Sequence, residues 1–285
     1  MFKIAILGCE NSHANNFLKA IREENYEDVQ VLGVFSEYEG AAEKLHAEFG
    51  VPVMDRADAL VGQLDGLIIT ARHGDKHFAY AKPYLADHIP MFIDKPATCT
   101  ESDAREFVRE LESRNIPISG GSTLKHAQYI QKLKQMVASG EQGAPLGGFF
   151  RAPVNLKNEY GDFFFYAQHL VQMVCEVFGY FPKAVRTCRN DGKITCILRY
   201  EDFDVTALYV DGSYVYYASV SFRKSVEGAQ FNLDGASSLE FRDFYRLLLG
   251  EPQPQSYAEF FAPVFVMNAL HRSLETGLEE PVAGL

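Results

Sequence analysis

The chain has 285 residues, 47% hydrophobic and 23% charged, with 22 Phe, 15 Tyr and no Trp. This is the profile of a globular protein large enough for two hydrophobic cores without disulfide or metal staples. A net charge of −11 excludes the basic face that a nucleic-acid binder needs.

No run approaches the roughly 18 apolar residues of a membrane helix. Met1 to Gly8 reads as a first strand and not as a signal peptide. The cysteines Cys9, Cys99, Cys175, Cys188 and Cys196 are odd in number and contain no CxxC pair, so reduced thiols in a cytoplasmic setting are expected.

Strand-like and helix-like segments alternate through the first part of the chain. Lys3 to Leu7 is a strand, and residues 14–23 have helical spacing through Phe17, Leu18 and Ile21. Val29 to Phe35 is the second strand, followed by a helix over 40–49 with Ala41, Ala42, Leu45 and Phe49 on one face. Leu67 to Thr70 and Met91 to Ile93 are further strands, residues 101–114 an amphipathic helix, and Ile116 to Ser119 another strand. This alternation predicts a doubly wound α/β domain over 1–120, its parallel sheet covered on both faces and its ligand crevice at the carboxyl ends of the strands.

Residues 121–285 follow a different pattern. A helix over 126–138 leads to a break at Gly140 to Gly143. Thr195 to Tyr200, Val205 to Val210 and Tyr214 to Phe222 read as antiparallel strands, with Asp211-Gly212 as a two-residue hairpin turn. Helices are expected over 165–178 and 257–276, the last being the one placed to pack back on the first domain. The second domain is therefore α+β on an open, mostly antiparallel sheet. The strand Tyr214 to Phe222 is apolar on both faces, which suggests helices on one side and a second copy of the chain on the other, giving a homodimer or higher homo-oligomer.

The turn after the first strand reads Gly8-Cys9-Glu10-Asn11-Ser12-His13. A dinucleotide fingerprint would carry three glycines here, and only Gly8 is present, with Glu10 and His13 at the other two places. Asn11 or Ser12 is placed to cap the next helix. At the end of the second strand, about 20 residues on, an acid would hold the ribose hydroxyls of NAD. Ser36 stands there and Glu37 follows, with no adjacent basic residue for a 2′-phosphate, which favours NAD slightly over NADP. Asp94-Lys95-Pro96 follows an apolar strand directly, where a lysine can orient a substrate hydroxyl and lower its pKa. Glu10, His13, His73, His77 and Asp94 share this edge, but only His73 and His77 have a tight spacing, and capping and crevice polarity account for them without a metal.

Together these segments resemble the glucose–fructose oxidoreductase/inositol dehydrogenase/MocA family. The likeness rests on Val31 to Phe35 leading into Ala42 to Leu45 and Glu48-Phe49-Gly50, on Leu67 to Thr70 with His77 seven residues on, on Asp94-Lys95-Pro96 for the family's Glu-Lys-Pro, and on the tail from Tyr257 to Gly277. The resemblance implies a Rossmann domain with an open-sheet domain, NAD or NADP as cofactor, and oxidation or reduction of a sugar, polyol or related small hydroxyl compound. It implies catalytic roles for Lys95 and His169. It implies cofactor contacts at Gly8, Asn11, Ser12, His13, Ser36, Glu37, Thr70, His73, His77, Asp94, Lys95 and Pro96. The family's aspartate four residues before the histidine is Phe165 here, and Asp162 lies seven residues before it. With Glu10, His13 and Ser36, this departure leaves an alternative: a small-ligand-binding or regulatory protein without redox turnover, or an NAD-dependent lyase or hydrolase whose cycle is redox-neutral.

Overall fold

The computed structural model describes residues 1–24 and 26–285. The chain forms two compact units. The first comprises Met1–Thr98, Ser102–Gly121 and Ser237–Tyr257, and the second Cys99–Glu101, Ser122–Ala236 and Ala258–Leu285. A segment more than a hundred residues beyond the expected boundary thus returns to the first unit, whereas the last helix stays with the second.

The first unit runs β1 (Phe2–Leu7), α1 (Ser12–Glu23), β2 (Val29–Phe35), α2 (Ala41–Phe49), β3 (Gly66–Ile69), α3 (Asp75–Ala81), β4 (Met91–Asp94), α4 (Glu101–Arg114) and β5 (Ile118–Gly121). Its sheet has the order β2-β1-β3-β4-β5, with every pair parallel. Ile4 to Leu7, Leu67 to Ile69 and Met91 to Ile93 are almost completely buried, as strands covered on both faces must be. Val53 adds a one-residue parallel bridge to Val34 at the outer edge, with Val34 N–H donating to Pro52 and Met54 N–H to Val34. Counted as a rudimentary strand, it gives the six-position order of a dinucleotide-binding sheet, with the switch point between β1 and β3.

The second unit contains α5 (Gln128–Ser139), β6 (Pro145–Val154), α6 (Phe163–Phe178), β7 (Ala184–Asn190), β8 (Lys193–Arg199), β9 (Asp204–Asp211), β10 (Tyr216–Phe222) and β11 (Val226–Phe231). Then α7 (Ala236–Leu248) joins the first unit, bringing Phe241 and Phe244 against Phe17 and Phe92. Finally α8 (Tyr257–Thr276) and β12 (Glu280–Pro281) complete the second. The seven-stranded sheet has the order β11-β10-β6-β9-β8-β7-β12.

The expected hairpin at Asp211-Gly212 does not form. β6 lies between β9 and β10, parallel to the first and antiparallel to the second. Gly212 turns the chain with φ +65, but the strands it joins never pair. The two-residue hairpin is at Asp191-Gly192, where Asn190 opposes Lys193 and both turn residues have positive φ. α5, α6 and α8 cover one sheet face, with Ala218, Val220 and Phe222 of β10 in the shared core. Every residue of α6 from Ala167 to Val177 is buried. Among the described residues, no helix is long and apolar enough to cross a membrane.

Candidate active site

Gly8 ends β1 with φ +75, and a Cβ there would lie 2.4 Å from the Cα of Ala71. Both the turn and the approach of the neighbouring strand therefore require glycine. Thr70 fixes this turn by donating its hydroxyl to the Gly8 carbonyl at 3.1 Å. Asn11 caps α1, its side chain accepting from His13 N–H at 3.5 Å, and no acidic residue occupies the first turn of the helix.

Glu10 spans the crevice mouth. Its Oε2 accepts from Ser36 Oγ at 2.7 Å, and its Oε1 accepts from the backbone N–H of Arg72 at 2.9 Å. The carboxylate thus links the turn after β1 to the chain leaving β2 and β3. Ser36 Oγ also accepts from Tyr38 N–H at 3.0 Å. Glu37 is paired elsewhere, with Lys76 Nζ at 2.7 Å, and that bond holds its carboxyl below the ordinary value. A cleft of about 450 Å³ opens here, lined by Cys9, Glu10, Asn11, Ser12, Asn15, Lys19, Ala41, Lys44, Leu45, Glu48 and Arg72. The lysines and the arginine of this cleft escape the sequence reading because α1, α2 and the loop after β3 converge only in three dimensions.

Behind the turn lies a buried charge cluster. His13 Nδ1 is 3.2 Å from Asp94 Oδ1, while Asp94 accepts from Asn11 Nδ2 at 2.8 Å and from Lys95 N–H at 2.7 Å. Burial opposes ionising either partner. For His13 the Asp94 and Glu240 carboxylates outweigh it and raise the imidazole above its ordinary value. For Asp94 the charges of His13 and Lys95 outweigh it and hold the carboxyl far below the usual range. Glu240, on α7, is almost wholly buried and has no counterpart in the sequence reading.

Lys95 is 4% exposed and precedes Pro96 through a cis peptide bond. His73 packs over the start of α3, its Nδ1 accepting from Asp75 N–H at 3.3 Å. His77 is fully buried, and its Nε2–H donates to the Ala71 carbonyl at 2.8 Å. Burial pushes its pKa down, so it is a neutral brace for the loop after β3. Thr70, His77 and Asp94 have no exposed surface, and they hold the turn and loop that do face the cleft.

In the second unit, His169 lies on α6 with its Nδ1 2.7 Å from Ser122 Oγ. Its ring meets Tyr166 edge-on at 4.9 Å, and Tyr166 continues to Phe165 at 5.1 Å and Tyr214 at 5.8 Å. Phe165 also packs on Tyr160 at 5.0 Å. The position of the family's aspartate is therefore part of an aromatic wall. Asp162 does not replace it: it precedes α6 with φ +49, and its Oδ1 accepts from Asn158 N–H at 2.9 Å. Ser122 was not legible as a site residue, since nothing near it in sequence points to a histidine 47 residues away.

A parallel sheet with this order, a glycine turn after β1 and a cleft at its switch point define a Rossmann-type fold. Residues 2–121 match the model of the Gfo/Idh/MocA oxidoreductase family, described as an NAD-binding Rossmann fold, and the likeness is to this part of the chain. Solved structures share the fold at low identity. The scyllo-inositol dehydrogenase from Lactobacillus casei, with bound NAD(H) and scyllo-inositol, aligns over 100% of both chains with a TM-score of 0.86 and 13% identity. GenD2 from gentamicin A biosynthesis, in complex with NAD, aligns over 99% of this chain and 97% of its own, with a TM-score of 0.85 and 13% identity. An oxidoreductase from Agrobacterium radiobacter, in complex with NAD+, L-tartaric acid and magnesium, aligns over 99% and 98%, with a TM-score of 0.78 and 18% identity. No curated protein matches the chain in sequence.

Proposed function

We propose that the protein is an NAD(P)-dependent oxidoreductase, with NAD favoured, that acts on a hydroxyl-bearing carbon of a sugar, polyol or related small compound. The observation that carries this reading is the pairing of His169 with Ser122, at 2.7 Å, on a helix where the family places its acid–base histidine. The residues fit a dinucleotide. Gly8 gives the tight turn, Asn11 and Ser12 open α1 with no acid in its first turn, and the adjoining cleft carries Lys19, Lys44 and Arg72.

When bound, the nicotinamide supplies the acceptor or donor of hydride. Lys95 polarises the substrate oxygen and lowers the pKa of its hydroxyl. Ser122 fixes Nδ1 of His169, so the proton lost by the hydroxyl moves to Nε2 of the same ring. Oxidation of the alcohol then releases one hydride and one proton, and His169 returns the proton to water. Lys95→Ala and His169→Ala are each expected to abolish reduction of NAD+ by a panel of polyols and sugars while the circular dichroism spectrum is unchanged. Turnover surviving in both variants refutes the mechanism.

Two observations favour a second reading, a member without net redox turnover or one that runs a redox-neutral lyase or hydrolase cycle. Phe165 replaces a carboxylate beside His169, and Glu10 brings one into the cleft. Calorimetric titration with NAD+, NADH, NADP+ and NADPH separates these readings. Binding with polyol-dependent turnover supports the first, tight binding without turnover of the cofactor supports the redox-neutral cycle, and no binding leaves the regulatory member. We also propose a homodimer or higher oligomer through the sheet face opposite the helices, where the rings of Phe149 and Tyr217 lie 5.9 Å apart.

A further inference from the structure

We propose that Glu10 is the cofactor-specificity residue of this protein and takes over, from the turn after β1, the work that an acid at the end of β2 would do. The inference rests on the reading of the first unit as a dinucleotide site. Discrimination between NAD and NADP needs a carboxylate that accepts from the adenosine ribose hydroxyls and repels a 2′-phosphate. At the end of β2 the residue is Ser36, which cannot repel an anion. The next residue, Glu37, is paired with Lys76 at 2.7 Å, which neutralises it.

The carboxylate that does reach Ser36 is that of Glu10, at 2.7 Å. A second bond, from Arg72 N–H at 2.9 Å, holds the other oxygen, so the group is fixed between the ends of β1, β2 and β3. A carboxylate has about four acceptor positions, so two bonds leave capacity for a diol. The acid and the serine have in effect exchanged positions: Ser36 orients, and Glu10 accepts. Lys44 and Arg72 line the same cleft and attract either nucleotide, so the ratio of the two affinities is what reports on Glu10.

The experiment is calorimetric titration of the full-length protein and its Glu10→Gln and Ser36→Ala variants with NAD+ and NADP+, with a thermal melt of each as a folding control. Wild type is expected to bind NAD+ at least about tenfold more tightly than NADP+, the worth of one charge-assisted hydrogen bond. Glu10→Gln should weaken NAD+ and bring the ratio close to one, while Ser36→Ala should weaken NAD+ but keep the preference, because the charge remains. An unchanged ratio in Glu10→Gln overturns the proposal and leaves the cofactor reading standing. Binding of both nucleotides only after Glu10→Gln overturns it in favour of a carboxylate that blocks the cleft. No binding to wild type or variant overturns the cofactor reading and the proposal together.

Discussion

Asp94→Asn is the sharpest test of how the first unit supports its turn. Asp94 is fully buried, accepts two hydrogen bonds, from Asn11 Nδ2 and Lys95 N–H, and pairs with His13 at 3.2 Å. Asparagine keeps one acceptor oxygen, enough for Lys95 N–H, but turns an amide NH2 toward the NH2 of Asn11 and leaves His13 with Glu240 alone as a negative neighbour. Two charge-assisted bonds at about 1.5–3 kcal/mol each would cost about 3–6 kcal/mol. Deprotonation of His13 recovers part of this, which places the net loss near 3 kcal/mol, at the low end of broken buried pairs. That corresponds to a fall in Tm of roughly 6–12 °C.

The loss should depend on pH. Asp94, whose pKa is depressed in the fold, contributes above its ordinary value of 3.8 and loses that contribution as pH falls below it. His13, whose pKa is raised, contributes fully below its ordinary value of 6.5 and loses that contribution as pH rises through the folded value. The pair is therefore complete between these two values. Scanning calorimetry should find the largest difference between variant and wild type near pH 5.5 and a smaller one near pH 9. A Tm within about 1 °C of wild type at pH 5.5, or a difference that grows toward alkaline pH, refutes the reasoning.

Gly8→Ala should destabilise by more than about 2 kcal/mol in urea melts, since it combines a left-handed φ with a Cβ 2.4 Å from Ala71 Cα. Ser122→Ala should lower kcat about tenfold with little change in KM and shift the acidic limb of the pH–rate profile, because it frees the ring of His169 to rotate. Should kcat stay at the wild-type value, Ser122 has no positioning role. Light scattering should give a mass of at least twice the 32.0 kDa chain, and Tyr217→Glu should reduce it to one. A wild-type monomer removes the sheet-face interface.

Strands and helices with a strong period were legible in the sequence. α4 at 101–114, α8 at 257–276 and β2 at 29–35 have the bounds that their apolar spacing implies. The pairing of strands was not legible, and the Asp-Gly dipeptides at 191–192 and 211–212 show why. Both are competent turns, but only the one at 191–192 joins strands that end as neighbours. At 211–212 the partner of each strand is β6, contributed by a segment some fifty residues earlier.

The candidate site divides in the same way. Gly8, Lys95 and His169 could be proposed from the sequence because a turn, a strand end and a helix fix their places locally. The roles of Glu10 and Ser122 could not, because each is defined by a partner on another element: Ser36 and Arg72 for the first, His169 for the second. His77 and Thr70 sit at the edge where the sequence places ligand contacts, and their full burial is visible only in the fold.

The return of α7 to the first unit has a consequence for how the molecule comes into being. Phe241 and Phe244 are fully buried among Phe17 and Phe92, and the Cβ that Gly66 lacks would strike Leu248 and Phe244. A ribosome that has released residues 1–121 has therefore made the whole five-stranded sheet but not the side chains that seal its core. Folding of the first unit must wait until residue 257 has emerged, by which time most of the second unit is already outside. A gene fragment cut at the end of the family match would yield a nascent sheet with an open seam, exposed to chaperones and proteases, and not an independent nucleotide-binding module.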